Sequence, residues 1–297
     1  MWFIYAVITL ILWAVADLFY KKGAKKEDKN SHLKTGIMVG LVMGVHATIY
    51  LIIQGVNFQI IDIIKYLPVS FFYIASMIIG YKGLRYIELS ISSPIQNSSG
   101  IVASLLLFII FKDALSVLDI IGIIIIGVGV ASLSYLESKK EEEPKIKHGK
   151  KVVFLAIFFP LIYCLLDGAG TFLDAIYLDK LELISEDAAL IAYEYTFFIY
   201  GMILLIYLKL FKKEKIGIRE EKERLMAAIF ETLGQMFYVY AMAANSTLAA
   251  PVIASYSILS VLLARILLKE KLKPKEYVAI ATVLFGIVLL GVSEGLA

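Results

Sequence analysis

Ser93-Pro94-Ile95-Gln96-Asn97-Ser98-Ser99-Gly100 leads into an apolar run that ends at Phe111 and is followed by Lys112-Asp113-Ala114-Leu115. The same plan returns at Ala250-Pro251-Val252-Ile253-Ala254-Ser255-Tyr256-Ser257, with an apolar run to Leu268 and then Lys269-Glu270-Lys271-Leu272. Pro94 and Pro251 stand 157 positions apart (94 to 251). That offset also pairs Ser98 with Ser255, Lys112 with Lys269, Asp113 with Glu270, Asp119 with Glu276, Gly129 with Gly286 and Glu137 with Glu294. One helix-turn-helix unit is therefore written twice, once late in each half of the chain.

The medium in which this duplication sits is set by composition. Of 297 residues, 60% are hydrophobic and the mean hydropathy is +0.82, against about 45–50% apolar content in soluble domains. The apolar residues fall in blocks of about 17–22, each long enough to cross a hydrocarbon core of about 30 Å. The net charge of +3 comes from lysines placed between those blocks, which reads as membrane topology and excludes a nucleic-acid surface. Cys164 is the single cysteine, so there is no intrachain disulfide and no thiolate metal cage. His32, His46 and His148 have no metal-ligand spacing, and no metal or cofactor is expected. Met1 to Tyr20 is apolar but lacks the basic start of a signal peptide and carries Trp13 and Asp17. It reads as a retained first helix.

Continuous apolar blocks in lipid must be helices, because the backbone has to satisfy its own hydrogen bonds there. Ten spans are expected, at about 2–20, 34–54, 66–86, 91–111, 116–136, 151–173, 187–209, 224–243, 247–268 and 275–293. The longest charged connector, Glu137 to Lys151, separates residues 1–138 from residues 151–297, with 139–150 as the link. Five spans per half force the second half to insert upside down. The fold class expected is all-α integral membrane, ten transmembrane helices arranged as two inverted five-helix repeats. Basic connectors 1–2, 5–6, 7–8 and 9–10 belong in the cytoplasm, which puts both termini outside and the chain in the plasma (inner) membrane. Gly36, Gly40 and Gly44, one turn apart in span 2, form a small-residue seam for close helix packing.

Ionisable groups inside spans cost about 2.5–3.5 kcal/mol on insertion scales, so each is a functional candidate. Asp17 and Asp167 occupy matching places in spans 1 and 6, each four residues after an aromatic, Trp13 and Tyr163. Glu194 lies inside span 7 between Tyr193 and Tyr195. Glu231 lies inside span 8, with Gln235 and Tyr238 on the same helical face. Span 4 presents Ser93, Asn97, Gly100 and Ser104 on one face, and span 9 presents Ala250, Ala254, Ser257 and Val261 at the matching positions. The structural alternative for each carboxylate is a satisfied pair that holds helices in register. Asp174 reads as a solvated span end, and Trp2, Tyr66, Tyr207 and Tyr277 as the interfacial aromatic belt. Carboxylates among aromatic faces suit an amine or quaternary ammonium through cation–π attraction. A buried carboxylate can also exchange a proton, giving coupled transport.

Taken together, the two five-span halves, Asn245-Ser246-Thr247-Leu248-Ala249-Ala250-Pro251 opening span 9 and Leu268-Lys269-Glu270-Lys271-Leu272 closing it resemble the drug/metabolite transporter superfamily, in its ten-span EamA-type branch. Lys112-Asp113-Ala114-Leu115 departs from that pattern in using Asp for Glu. The resemblance implies a transporter, not an enzyme. It implies alternating access, with helices 1–4 and 6–9 around a central cavity and helices 5 and 10 peripheral. The site expected to bind substrate or protons comprises Glu194, Glu231, Asp17, Asp167, Trp13, Tyr163, Tyr193, Tyr195, Gln235, Tyr238 and Asn97. The partners expected are a small cationic or zwitterionic metabolite, the lipid bilayer and a coupled proton, in a monomer or homodimer. Export of neutral amino acids or drugs is the alternative within the class; an integral-membrane enzyme acting on lipid-linked substrates is the alternative outside it.

Overall fold

The computed structural model describes residues 1–25, 28–83, 99–112, 115–138, 150–214, 216–217, 220–268 and 272–296. The described chain is helical, with α1 (Trp2–Gly23), α2 (Ser31–Gln54), α3 (Ile60–Gly83), α4 (Ser99–Phe111) and α5 (Val117–Ser138) before the charged connector. After it come α6 (Lys150–Ala175), α7 (Glu186–Leu210), α8 (Lys222–Ala254), α9 (Tyr256–Leu268) and α10 (Pro274–Leu296). Pro94, Asn97 and the rest of Ser93–Ser98 lie outside the described residues, as do Asp113, Ala114 and Lys269–Lys271.

Local chemistry sets several helix ends. Ser185 caps α7 by accepting from Ala188 N, with Glu186 and Asp187 in the first turn where the helix dipole favours negative charge. Gly55 ends α2 in the left-handed conformation at φ 60°, which a residue with a Cβ adopts at a cost. At the start of α5, Asp119 accepts from Ser116 N at 2.8 Å. At the start of α10, Glu276 accepts from Lys273 N at 2.8 Å. These two caps stand at the 157-residue offset read in the sequence (119 to 276), so the repeat extends to a backbone contact.

Seven described segments are long and apolar enough to cross a membrane, and Ser99–Phe111 and Val117–Leu133 are shorter apolar helices. One of the seven, Lys222–Leu267, has 46 residues, about 69 Å if straight and more than twice the hydrocarbon thickness of about 30 Å. It cannot be one crossing. Asn245, at φ −169° and ψ 86°, breaks the helix, and its Oδ1 then accepts from Leu248 N at 3.1 Å, capping the outgoing arm. Asp179, in the π-helical turn Ile176–Lys180 that extends α6, accepts from Ser246 N at 2.9 Å at the same corner. A second interruption falls at Ser255, whose amide and hydroxyl both turn back to Val252 O.

Helix α1 packs along α8, α2 along α7, α3 along α6 and α5 along α10, while α4 touches α6 and α8, and α9 touches α1. The α2–α7 contact uses the glycine seam: a Cβ on Gly40 would stand 2.4 Å from Phe197 O and 3.0 Å from Gly201 Cα. No other residue permits that approach. Outward faces are apolar; Ile52 and Ile53 of α2 expose 74% and 73% of their surface, as lipid contact requires and as water would penalise. The α1–α2 and α7–α8 connectors are tied by charge. Buried Arg224 pairs with Glu221 and with Asp28 at 3.3 Å, and Lys34 pairs with Asp28 and Glu214 at 3.0 Å each.

Two sequence expectations change because helices extend further than hydropathy alone indicates. Helix α3 starts at Ile60, so Tyr66 lies more than a turn inside it and is fully buried. Helix α6 continues to Ala175, so Asp174 is not a solvated span end; it is fully buried and accepts from Tyr66 Oη. Trp2 is buried as well, whereas Tyr207 and Tyr277 are exposed as belt residues should be.

Candidate functional site

Trp13 and Asp17 lie one turn apart on α1 and share a face. The indole is held against α8: a Cβ on Gly234 would stand 2.4 Å from Trp13 Cδ1, so glycine there makes room for the ring. Trp13 Nε1 donates to Glu231 O at 3.2 Å, and the ring stacks on Tyr238 at 5.1 Å. On α6, Tyr163, Asp167 and Thr171 form the facing stripe at four-residue spacing. Ser99, the first described residue of α4, donates to Asp167 Oδ2 at 2.6 Å. Tyr73 of α3 donates to Thr171 Oγ1 at 3.1 Å and meets Tyr238 Oη at 2.6 Å. Since Tyr73 has one proton to give, Tyr238 donates to Tyr73, and Thr171 in turn donates to Asp167 O at 3.0 Å. This directed hydroxyl chain joins α8, α3 and α6.

These residues enclose a cavity of about 90 Å³, well above the roughly 10–15 Å³ that one water needs. Its wall comes from α1, α3, α4, α6, α7, α8 and α9; none of its described lining residues belongs to α2, α5 or α10. Asp17, Asp167 and Glu231 supply three carboxylates, and the described wall contains no lysine, arginine or histidine. Asp17 Oδ2 and Gln235 Nε2 are buried without a hydrogen-bond partner among the described residues. A buried polar atom left in that state is costly, so the cavity offers an acceptor and a donor to whatever enters. Seven tyrosines and Trp13 form the rest of its polar and aromatic surface, apart from Ser99 and Thr171. Among the described residues, no group of three His, Cys, Asp or Glu side chains is placed to hold a metal ion.

Of the residues expected at the site, Trp13, Asp17, Tyr163, Asp167, Tyr193, Glu231, Gln235 and Tyr238 line this cavity. Glu194 and Tyr195 do not. Glu194 is fully buried between α7 and α2 and meets His46 Nδ1 through both carboxylate oxygens, at 2.9 and 2.8 Å. Tyr195 turns to Thr48 Oγ1 at 3.2 Å and packs on Phe58. Asn97 lies outside the described residues. Sequence reasoning missed Tyr20, Tyr73, Tyr81, Tyr256, Ser99 and Thr171. A signal existed for two of them, since Tyr73, Met77 and Tyr81 recur at the spacing of one helical face.

No curated protein matches the chain in sequence. The fold is similar to a crystal structure described only as that of a protein, at a TM-score of 0.69 and 10% identity over 96% of this chain and 94% of that one. At that identity the likeness is one of fold. The family model for EamA-like transporters matches residues 1–135 and 182–292.

Proposed function

This chain belongs to the EamA-like transporter family, and we propose that it is a secondary transporter moving a small amine, cationic rather than zwitterionic, by alternating access. The observation that carries the choice of cargo is the cavity wall: three carboxylates, stacked aromatic rings and no cationic side chain among its described residues. A positively charged ligand balances that charge. Each well-placed ring adds about 0.5–2 kcal/mol of cation–π attraction, and Gln235 Nε2 and the tyrosine hydroxyls are placed for an acceptor on the same ligand. Export of neutral amino acids fits less well, because the ligand carboxylate would meet no lysine or arginine in the described wall.

Two rocking halves, residues 1–138 and 151–297 in opposite orientation, are supported by the way contacts recur. If α1 corresponds to α6, α2 to α7 and so on, the α1–α8 contact corresponds to α6–α3, and α1–α9 to α6–α4. The contacts α2–α7 and α5–α10 then correspond to themselves. This is what a pseudo-two-fold axis in the membrane plane produces. Lysine-rich connectors support a plasma-membrane orientation with those connectors in the cytoplasm and the termini outside.

The test is a thermal-shift series on the purified full-length protein with putrescine, choline and tetramethylammonium against glycine and alanine, followed by counterflow in proteoliposomes. Amines should stabilise the native state in a concentration-dependent way. Stabilisation by the neutral amino acids and by none of the amines would overturn the cargo assignment.

A further inference from the structure

Outside the cavity, one buried ionisable pair has no part in the binding just described. His46 of α2 and Glu194 of α7 are 148 residues apart in sequence and meet at 2.8–2.9 Å, with the glutamate fully buried and the imidazole 21% exposed. Neither residue lines the cavity, but Tyr193, next to Glu194 in α7, does. The contact runs through Nδ1 to both oxygens. Two lone pairs facing each other would repel, so one proton must lie between Nδ1 and the carboxylate. That leaves Nε2 as a second place for a proton, and the pair as a unit that gains or loses one charge there.

The surroundings connect this unit to the membrane surface. Tyr50, one turn further along α2, has its ring 5.8 Å from the His46 ring and donates to Asp187 Oδ1 at 2.8 Å. Tyr240 of α8 also donates to Asp187, and Tyr5 of α1 packs on Tyr240 at 5.7 Å. Asp187 is in the first turn of α7 beside the acidic α6–α7 connector and is partly exposed. From α3, no titratable side chain is placed against His46 among the described residues, and Glu194 forms no other ion pair there. Polar side chains thus lead from Asp187 through Tyr50 to a buried imidazole–carboxylate pair.

We propose that His46 and Glu194 form a proton-binding site separate from the cargo cavity, reached from the end of α7 through Asp187 and Tyr50. Its coupling to transport rests on the transporter reading, with α7 carrying the change from Glu194 to Tyr193; the site itself rests on geometry alone. With one proton already between Nδ1 and the carboxylate, a second taken up at Nε2 leaves the pair holding two.

Full-length protein in unbuffered detergent solution, titrated with a pH-indicator dye, reads this directly and needs no cargo. Between pH 5 and 9 the wild type should bind about one proton more than the double variant His46→Gln/Glu194→Gln, whereas Glu194→Gln and His46→Gln each keep one titratable group. Equal proton counts in the wild type and the double variant would make the pair a static helix staple and overturn the proposal. Should the variants fold poorly, 15N-labelled histidine in the wild type supplies the second measurement. The His46 nitrogen shifts should move with pH, and fixed shifts across the range would overturn the proposal equally. Amine-induced thermal shifts on the same samples keep the two readings apart. They should survive Glu194→Gln and vanish in Glu231→Gln, and their absence in the wild type counts against the cargo assignment alone.

Discussion

Pro251 has no amide proton, so the helix cannot make the bond from position 251 to Thr247 O that every other residue type would make there. Ser104 of α4 takes that place: its Oγ donates to Thr247 O at 2.6 Å, with both residues at most 1% exposed. A small residue makes the approach possible, since a Cβ on Gly100, one turn earlier in α4, would stand 2.7 Å from Ala250 O. Removing the hydroxyl leaves a buried carbonyl short of its donor, which costs about 1–3 kcal/mol in proteins generally. Measured interhelical bonds in membranes are weaker, about 0.6 and at most about 1.7 kcal/mol. Ser104→Ala should therefore cost about 1 kcal/mol and lower the melting temperature in detergent by about 2–4 °C. Pro251→Ala restores the amide, and on that background Ser104→Ala should cost less than about 0.5 kcal/mol. Fluorescence-monitored melting of the four proteins closes the cycle. Additive losses, with coupling below about 0.3 kcal/mol, would show that Ser104 does not substitute for the missing amide.

Four other outcomes follow from the geometry. Gly234→Ala forces Trp13 off α8 and should weaken amine binding several-fold in isothermal titration while melting changes by only a few degrees; unchanged affinity would remove the indole from the cavity's function. Gly40→Val pushes a side chain into Phe197 O and should destabilise the α2–α7 pair by more than about 2 kcal/mol, read as loss of the monodisperse peak on size exclusion. Tyr66→Phe strips Asp174 of its hydroxyl donor and should lower the melting point, with Asp174→Asn on that background recovering part of the loss. The fourth concerns pH. Burial raises the Asp28 carboxyl, but the bond from Lys34, the Asn30 amide and the charges of Lys34 and Arg224 outweigh it and hold it below its ordinary value of 3.8. A depressed carboxylate stabilises the folded state fully above its unfolded value of about 3.9 and loses that contribution as pH falls through the folded one. Asp28→Asn should thus lower the melting point at pH 7, with a deficit that shrinks as pH falls below about 3.9; a deficit that does not change with pH would place the effect outside the ion pairs.

How much of this was legible in the chain depends on the distance over which each contact acts. Helices, glycine seam and repeat are local or periodic, and hydropathy with the 157-residue offset was enough to find them. Trp13 with Asp17 and Tyr163 with Asp167 were legible because one helical turn joins each pair. Ser99 was not, because its partner Asp167 comes from another helix and no pattern in α4 announces it. The Glu194–His46 pair is hidden for the same reason, because no basic residue stands three or four positions from Glu194 in α7. Tyrosines were the hardest. Lipid interface, buried core and cavity all favour a ring with one polar end, so composition could not separate Tyr207 on the surface from Tyr66 in the core or Tyr81 in the cavity.

The repeat also explains why the cavity is not symmetric. Asp167 of the second half is bonded by Ser99 of the first, and Asp17 of the first half is approached by Ser260 of the second, so each aspartate meets a serine of the other half, although Ser99 corresponds to Tyr256 at the 157-residue offset. Tyr81 and Tyr238 stand at the same 157-residue offset, and both face the cavity. Glu231 and Gln235 have Ile74 and Ile78 at that offset, and Thr247 O is met by Ser104 where the other half has Val261. A duplicated scaffold has therefore kept its packing and its paired aspartates while concentrating further polarity on α8.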